Sequence, residues 1–127
     1  MRPEPNGAAL RGRDGEDAAC AYLTELGLTV LERNFRCRGG EIDIVARDRD
    51  TTVFVEVRQR SSDSHGASVE TVTGAKRRRI VQAACLYAAT RGLSETPIRF
   101  DVVSLDGRGA RGWSVRHDRD AFDATGR

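Results

Sequence analysis

Acidic residues interrupt two short segments of this sequence that otherwise have the apolar character of β-strands. Glu41 and Asp43 lie within GGEIDIVARD, residues 39–48, and Glu56 lies within FVEVRQR, residues 54–60. Carboxylate oxygens are the ligands that hard divalent cations such as Mg²⁺ prefer. The acids are therefore the first candidates for chemistry in this chain.

The two acidic segments are predicted to pair as a β-hairpin in which Asp43 faces Glu56. With the polar DRDT stretch as the turn, the same register places Glu41 opposite Arg58. Because side chains alternate along a strand, these four residues share one face and the opposite face is apolar. The predicted apolar face consists of Ile42, Ile44, Ala46, Val53, Val55 and Val57.

Placing Asp43 opposite Glu56 has an electrostatic cost. Opposed Cβ atoms in an antiparallel pair are roughly 4.5 to 5.5 Å apart, and two unit charges at about 5 Å repel by about 3 kcal/mol at an effective dielectric constant near 20. Arg58, a proton on one carboxyl or a bridging divalent cation could each offset that repulsion. The plainer alternative is a pair of edge carboxylates that point into water and pair with arginines.

A third acid, Glu16, lies on the helical line of Ala19, Cys20, Leu23 and Leu26. This spacing predicts that Glu16 points inward from the start of a buried stripe. If the helix packs on the hairpin, three carboxylates converge and suit Mg²⁺ with its retained waters. The alternative is a first-turn acid favoured by the helix dipole.

Periodicity and turn residues predict a mixed α/β fold in the order helix, three strands, helix, two strands. The helices are expected at about 7–26 and 73–91, with Gly27 and Gly92 as stops and Thr73 as an N-cap. Residues 61–72 read as a polar loop. The chain ends are expected to fray over about 1–6 and 118–127. The strands are expected in LTVLERNFRC, EIDIVAR, TVFVEVR, IRFDVVSL and GWSVRH.

Size and composition indicate one soluble domain. The chain has 127 residues, of which 31% are charged and 39% hydrophobic. No run approaches the roughly 20 apolar residues that span a bilayer, and the first residues lack the order of a signal peptide, so we expect a cytoplasmic protein that does not enter a membrane. Three widely spaced cysteines predict reduced, mostly buried thiols, and two histidines offer no metal cage.

Basic residues are distributed unevenly although the net charge is only +2. Of the 21 basic residues, 20 are arginine, and the single lysine, Lys76, heads the run Lys76–Arg79 at the start of the second helix. Four cations there oppose the helix dipole, and a bound phosphate would relieve them. A nucleic-acid backbone contact is therefore predicted, against the alternative of a solvated charged face. Its basic residues are Arg36, Arg38, Arg60, Lys76, Arg77, Arg78 and Arg79.

Five blocks together resemble the bacterial YraN-like family, an uncharacterised group similar to endonucleases of the Holliday-junction resolvase type. They are GRDGEDAACAYLTELG, NFRCRGGEIDIVARD, FVEVRQR, HGASVETVTGAKRRRI and RFDVV, within about residues 7–105. The resemblance implies a restriction-endonuclease-like, PD-(D/E)XK fold with a central mixed sheet flanked by helices. It also implies Mg²⁺ or Mn²⁺ on Glu16, Asp43 and Glu56, a DNA partner, and a role in DNA repair or recombination.

Arg58 departs from the family pattern, because the resemblance implies lysine at that position. An arginine stabilises charge on a transition state but cannot act as a general base. Two explanations stay open: a metal-bound water is the nucleophile, or Lys76 takes the place of the missing lysine. Solvent exposure of Lys76 is the plainer alternative.

Three functions are consistent with these patterns. The first is a Mg²⁺-dependent, structure-selective DNA endonuclease, which would be expected to form a homodimer on a two-fold junction. The second is a nucleic-acid-binding module with the nuclease fold and no cleavage, which Arg58 favours. The third is a partner-binding scaffold whose acids are surface charges.

Overall fold

The computed structural model describes residues 7–60, 73–107 and 112–125, with side chains described from residue 15 and without the side chain of Arg60. Within these residues the order is helix, three strands, helix, two strands, as predicted. The helices are α1 (Gly7–Glu25) and α2 (Gly74–Thr90). The strands are β1 (Thr29–Cys37), β2 (Gly40–Asp48), β3 (Thr51–Arg60), β4 (Ile98–Asp106) and β5 (Ser114–Phe122).

The five strands form one sheet in the order β1-β2-β3-β4-β5. The central pair β3–β4 is parallel and the other three pairs are antiparallel. A parallel pair needs a crossover connection, and α2 lies in the chain between its two strands. The sheet is therefore mixed, as the sequence predicts.

Each face of the sheet carries its own apolar core. On one face, α1 contributes Ala19 and Leu23 to a cluster with Ile44, Val55 and other strand residues. On the other face, α2 contributes residues such as Ile80 and Tyr87 to a second cluster. A sheet covered on both faces requires strands that are apolar on both sides, and the central strands satisfy this requirement. The strand residues of the α2 cluster are Ile42, Val45, Phe54, Phe100, Val102 and Phe122.

The helix ends follow the predicted capping residues. The Thr73 hydroxyl accepts a hydrogen bond from the Lys76 backbone N–H at 3.2 Å, which confirms the N-cap of α2. Gly27 has φ +100°, a conformation that allows the Leu28 N–H to donate to the Leu23 carbonyl at 3.0 Å and end α1. Local sequence therefore accounts for the start of α2 and for the end of α1.

Gly40 allows α2 to approach the start of β2 closely. A Cβ at this position would lie 2.1 Å from the carbonyl oxygen of Arg79 and 3.2 Å from the Ala83 side chain. The first of these atoms belongs to the helix backbone, so a rotamer change cannot relieve the clash. The glycine thereby brings the basic start of α2 beside the acidic strand.

A buried carboxylate, Asp101, connects β4 to β5 and α1. Asp101 is fully buried, and both of its oxygens accept hydrogen bonds from Arg99, at 2.9 and 3.1 Å. His117 Nε2 lies 2.7 Å from Asp101 Oδ2, while His117 Nδ1 lies 3.0 Å from the Tyr22 hydroxyl. The Asp120 backbone N–H donates to the same carboxylate at 3.0 Å. Although burial opposes it, this set of donors lowers the pKa of Asp101 below its ordinary value.

Two expectations about exposure are wrong. Fraying was expected from about residue 118, but β5 continues to Phe122, whose ring is 3% exposed and stacks on Phe100 at a centroid separation of 5.0 Å. The burial of this ring anchors the strand end. The cysteines were expected to be mostly buried, but Cys20 and Cys37 are only partly buried. Cys85 is exposed because it lies on the outer side of α2.

The predicted loop at 61–72 lies outside the described residues. Neither described helix is long and apolar enough to cross a membrane.

We expect Gly40→Ala to lower the free energy of unfolding by about 2 kcal/mol, because the helix must move away from the added methyl group. Gly74→Ala is the matched control. Its Cβ would meet only the tip of Arg78 at 3.4 Å, and alanine favours a helix. Urea unfolding measures both, and equal stabilities of the two variants would contradict the close approach.

We expect Asp101→Asn to lower the free energy of unfolding by about 3 kcal/mol or more, because it leaves the Arg99 and His117 donors without the charge that they surround. Asp118→Asn is the control. It removes only an exposed pair with Arg116 at 3.3 Å and should cost less than about 1 kcal/mol. Thermal and urea unfolding at neutral pH compare the two, and a similar loss in both variants would refute the role of burial.

Candidate functional site

Asp43 and Glu56 meet just beyond the end of the β2–β3 ladder. The predicted register holds from Asp48–Thr51 to Ile44–Val55, where the ladder ends. Asp43 Oδ2 accepts a hydrogen bond from the Val57 backbone N–H at 2.8 Å, and the Glu56 carboxyl lies close enough to raise the pKa of Asp43. The hairpin therefore brings the two acids together, although they are not ladder partners.

The strand β2 changes faces at Asp43. Ile44 packs in the α1 cluster, whereas Ile42 packs in the α2 cluster. Ile42 was predicted to share the face of Ile44, and this prediction is wrong because regular alternation is interrupted between them. The predicted position of Glu41 opposite Arg58 lies beyond the β2–β3 ladder, which ends at Ile44–Val55. On its other side Glu41 is opposite Arg36 in the β1–β2 ladder, and the two side chains form an exposed ion pair at 3.4 Å.

Burial and a like charge favour a proton on this pair of acids. Glu56 is 5% exposed, and Asp43 is partly buried beside it. Burial, followed by the charge of Glu56, raises the pKa of Asp43 to about 7, against the opposing bond from Val57. Near neutral pH the pair thus exchanges one proton, and a cation binding there would displace it.

Lys76 supplies the positive charge next to this pair. Its Nζ lies 2.6 Å from Glu56 Oε1 while its side chain stays 47% exposed. The lysine thus spans from solvent to the buried carboxylate. The alternative of a wholly solvent-facing Lys76 is wrong, because the close approach at Gly40 brings the start of α2 over the acidic strand.

Glu16 lies near the acid pair but bonds elsewhere. Its Oε1 accepts from Asn34 Nδ2 at 3.0 Å and from Arg33 at 3.4 Å, and its side chain is 20% exposed. Its negative charge contributes to the raised pKa of Asp43, which places it within electrostatic range. The predicted inward stripe holds at Ala19 and Leu23 but fails at Leu26, which is 52% exposed at the end of the helix.

The donor set suits a hard cation only in part. Asp43 and Glu56 present adjoining carboxyl oxygens of the kind that Mg²⁺ binds. Within the described parts of the chain, no three of its His, Cys, Asp and Glu residues lie close enough together to hold a metal ion. The two-carboxylate core fits such an ion, and Glu16 would have to turn toward it to complete a set of three.

Asn34 was missed by the sequence reasoning, and so was the Val57 backbone N–H. Asn34 has φ +56°, and asparagine is among the few residues that adopt this conformation readily. A short polar residue inside an otherwise strand-like segment was the available signal. A backbone donor has no sequence signal of its own, because every residue other than proline carries one.

The basic run at the start of α2 divides into two parts. Lys76 turns to Glu56, and Arg77 packs its guanidinium over the Phe122 ring at 5.3 Å from the centroid. Arg78 and Arg79 are exposed and make no ion pair with a described residue. Only the latter two therefore present their charges to solvent without a partner in the described chain.

The end of β1 and the β1–β2 turn add further cations beside α2. Arg36 and Arg38 are exposed, and the adjoining Gly40 lies against Arg79. Arg60 ends β3, and its side chain lies outside the described residues. Arg58 is partly buried and makes at least one contact within the chain. The structure thus places the turn arginines and the exposed α2 arginines at one end of the molecule.

The fold and the site define a small mixed α/β protein in which two helices cover a five-stranded sheet and one helix brings a lysine to a pair of carboxyls. The chain belongs to uncharacterised protein family UPF0102, whose model matches residues 15–105. This agrees with the expected assignment to an uncharacterised family. The likeness to nucleases stays a prediction.

Curated relatives extend over nearly the whole chain. A UPF0102 protein of Methylibium petroleiphilum is 50% identical over 121 residues, covering 90% of this chain and 94% of its own. One of Anaeromyxobacter dehalogenans is 46% identical over 125 residues, covering 96% and 90%. One of Nitrosomonas europaea is 44% identical over 116 residues, covering 91% and 96%. The names of these relatives give the family and no activity.

We expect Asp43→Asn to raise the free energy of unfolding at pH 8 by about 2 kcal/mol. The folded state holds the Asp43 proton up to a pKa of about 7, whereas the unfolded chain releases it near 3.8. Stability from this group is therefore complete below the unfolded pKa, falls as the pH rises toward 7, and is constant above it. Asparagine keeps an acceptor for Val57 and does not ionise.

Urea unfolding at pH 5 and pH 8 tests this linkage. The gain from Asp43→Asn should be larger at pH 8 than at pH 5. Glu41→Gln is the control in the same strand, where an exposed side chain should change stability by less than about 0.5 kcal/mol at either pH. A gain that is identical at both pH values would exclude a shared proton.

Proposed function

We propose that this protein is a nucleic-acid-binding member of the restriction-endonuclease-like class and hydrolyses phosphodiesters in branched DNA when supplied with Mg²⁺ or Mn²⁺. The observation that carries the proposal is the pairing of Asp43 with Glu56, with the Lys76 ammonium 2.6 Å from Glu56. Two carboxyls and an ammonium group at one partly open site form a charge pattern that can support metal-dependent phosphodiester hydrolysis.

The order of the elements supports the class. The acids come from a β-hairpin in the centre of a mixed sheet, and the helices α1 and α2 cover its two faces. This is the arrangement that the sequence resemblance implies for PD-(D/E)XK proteins. The fold alone supports membership of the class, whereas the argument for hydrolytic activity depends on the acid pair.

Asp43 and Glu56 would hold the metal ion, with Glu16 as a third ligand after it turns from Arg33. When bound, the ion supplies positive charge at the phosphate and a water of lowered pKa. The proton on Asp43 must leave before both carboxylates can bind a cation, so binding should strengthen as the pH rises through about 7.

Lys76 acts on the phosphate in this proposal. Its side chain is 47% exposed and its ammonium lies 2.6 Å from Glu56, so the ammonium would be near a phosphate bound at the acid pair. There it would stabilise the negative charge that grows in the transition state. Arg58 adds charge but no general base, because a guanidinium stays protonated.

The exposed cations would bind the DNA backbone. Arg78 and Arg79 extend from α2, and Arg36 and Arg38 extend from the neighbouring turn, all at the end of the molecule that holds the acids. Such contacts are independent of base sequence, so they favour recognition of DNA shape. The proposed substrate is DNA undergoing repair or recombination, and the protein would meet it in the cytoplasm.

A catalytically inactive DNA-binding module is the second candidate. Arg58 at the expected lysine position favours it, as does the engagement of Glu16 with Asn34 rather than with the acid pair. A two-fold junction would call for a homodimer in either case. Light scattering of the chain with and without a four-way junction would detect that dimer.

We expect the wild-type protein to cleave a four-way junction or flap in Mg²⁺ or Mn²⁺ faster than linear duplex, and Asp43→Asn and Glu56→Gln to lower the rate at least 100-fold. Each substitution removes a carboxylate that holds the ion. Denaturing gels of end-labelled DNA measure the rate. Glu41→Gln, purified in the same way, controls for contaminating nucleases and should retain full activity.

Binding without metal separates the two candidates. The double substitution Arg78→Gln with Arg79→Gln should weaken DNA binding and reduce the slope of log affinity against log salt by about 2, since two phosphate contacts are lost. Arg116→Gln, on the far edge strand, is the control. Tight binding with no cleavage would favour the inactive module, and no binding at low salt would refute both candidates.

A further inference from the structure

We propose that Lys76 is a releasable counter-ion, which closes the acid pair to divalent cations until a phosphate of bound DNA draws the ammonium away. The inference rests on the proposed function and deepens it, because it makes the binding of a metal ion depend on the binding of DNA. It is carried by the contact between Lys76 and Glu56, by the burial of that carboxylate and by the exposed arginines that follow Lys76 in α2.

The ammonium of Lys76 occupies the carboxylate that a metal ion would need. Its Nζ lies 2.6 Å from Glu56 Oε1, and Glu56 is only 5% exposed. A divalent ion on the same carboxylate would lie close to the ammonium, and the two positive charges would repel because little solvent screens them. In the described part of the chain no three His, Cys, Asp or Glu residues lie close enough together to hold a metal ion, so further ligands do not offset this repulsion. The free protein therefore balances its acid pair with its own cation.

The backbone of Lys76 is held in place, whereas its side chain can change partner. Thr73 caps the first turn of α2: its hydroxyl accepts from the Lys76 N–H at 3.2 Å and its carbonyl accepts from the Arg77 N–H at 2.9 Å. The Lys76 side chain is 47% exposed, and a lysine ammonium is a compact charge on a flexible stem. Release of Glu56 therefore needs a new conformation of one side chain and no movement of the helix.

The chain uses arginine where a buried carboxylate must keep its partner. Arg99 binds the fully buried Asp101 through two bonds, from Nε at 2.9 Å and from Nη2 at 3.1 Å. Such a two-point contact holds a carboxylate firmly, whereas an ammonium makes a single-point contact that a competing anion replaces more easily. The only lysine of the chain, beside 20 arginines, lies at Glu56. Its residue type suits a contact that is given up during function.

Phosphate groups of DNA are the anions that would draw the ammonium away. Arg78 and Arg79 follow Lys76 closely in the chain, are exposed and make no ion pair with a described residue. DNA bound to them brings phosphate oxygens to the start of α2, where these oxygens compete with Glu56 for the ammonium. The exchange leaves Glu56 open to a divalent ion, and by linkage DNA and the ion then raise each other's affinity by the same factor.

Mn²⁺ binding without DNA tests the competition, with electron paramagnetic resonance of free Mn²⁺ at pH 8 as the readout. Lys76→Met keeps an unbranched side chain and removes the charge, so it should bind Mn²⁺ at least about tenfold more tightly than the wild-type protein. Lys76→Arg keeps the charge and should bind Mn²⁺ no more tightly than the wild-type protein. Arg91→Gln is the matched control: it removes a cation from the other end of α2, where Arg91 pairs with Glu32 at 3.1 Å, and should change the affinity less than twofold. Urea unfolding confirms that each variant is folded.

The single lysine makes the release itself observable. Protein labelled with isotope-enriched lysine gives side-chain NMR signals from Lys76 alone, because the chain contains no other lysine. We expect Glu56→Gln to shift these signals, because it removes the charge that the ammonium contacts. Four-way junction DNA, added to the wild-type protein without a metal ion, should also shift them. Fluorescence anisotropy of the labelled junction confirms that the DNA is bound.

The results that contradict the inference differ from those that contradict the proposed function. If the wild-type protein binds Mn²⁺ and Lys76→Met binds it no more tightly, or if bound DNA leaves the Lys76 signals unchanged, Lys76 is not a releasable counter-ion and the proposed function is unaffected. If the junction does not bind, or if neither protein binds Mn²⁺ with the junction present beyond what the DNA binds alone, the proposed function fails and this inference fails with it.

Discussion

The electrostatic cost of holding Asp43 beside Glu56 governs the surroundings of the acidic hairpin. Two carboxyls with little solvent cannot both ionise cheaply, and the raised pKa of Asp43 records that cost. The protein offsets it locally with the Val57 backbone N–H on Asp43 and the Lys76 ammonium on Glu56. Each of these partners depends on a neighbouring element: the first on the end of the β2–β3 ladder, and the second on the approach of α2.

The balance of charges at the acid pair depends on the close approach of two backbones. Lys76 reaches Glu56 because the start of α2 lies over β2, and that position is available only while Gly40 carries no Cβ against the Arg79 carbonyl. On the other face, the packing of Ala19 and Leu23 fixes α1 on the sheet and therefore fixes the position of Glu16 along it. The packing of both helices thus holds Lys76 beside the acid pair, and the Asp101 network lies on the neighbouring strand, where Asp101 is opposite Val55.

Most of the fold was predictable because its signals are local. Helical spacing, Thr73 and Gly27 define the helices, and the hairpin register follows from the short DRDT turn. The errors have two physical causes, namely a departure from regular alternation and a contact between residues far apart in the sequence. Ile42 was assigned to the wrong face because β2 reverses at Asp43, and the end of the chain was expected to fray because the anchoring of Phe122 on Phe100 is a long-range contact.

The sequence by itself determined which side chains are available. They are the candidate acids Glu16, Asp43 and Glu56, one lysine beside twenty arginines, and glycines at the turns. It also determined the element order, since periodicity and capping act over a few residues. Only the tertiary structure decided that Lys76 makes a 2.6 Å contact with Glu56, and that Asn34 bonds to Glu16. These contacts join residues 18 to 20 positions apart on different elements, and helix packing, which no local pattern encodes, sets their distances.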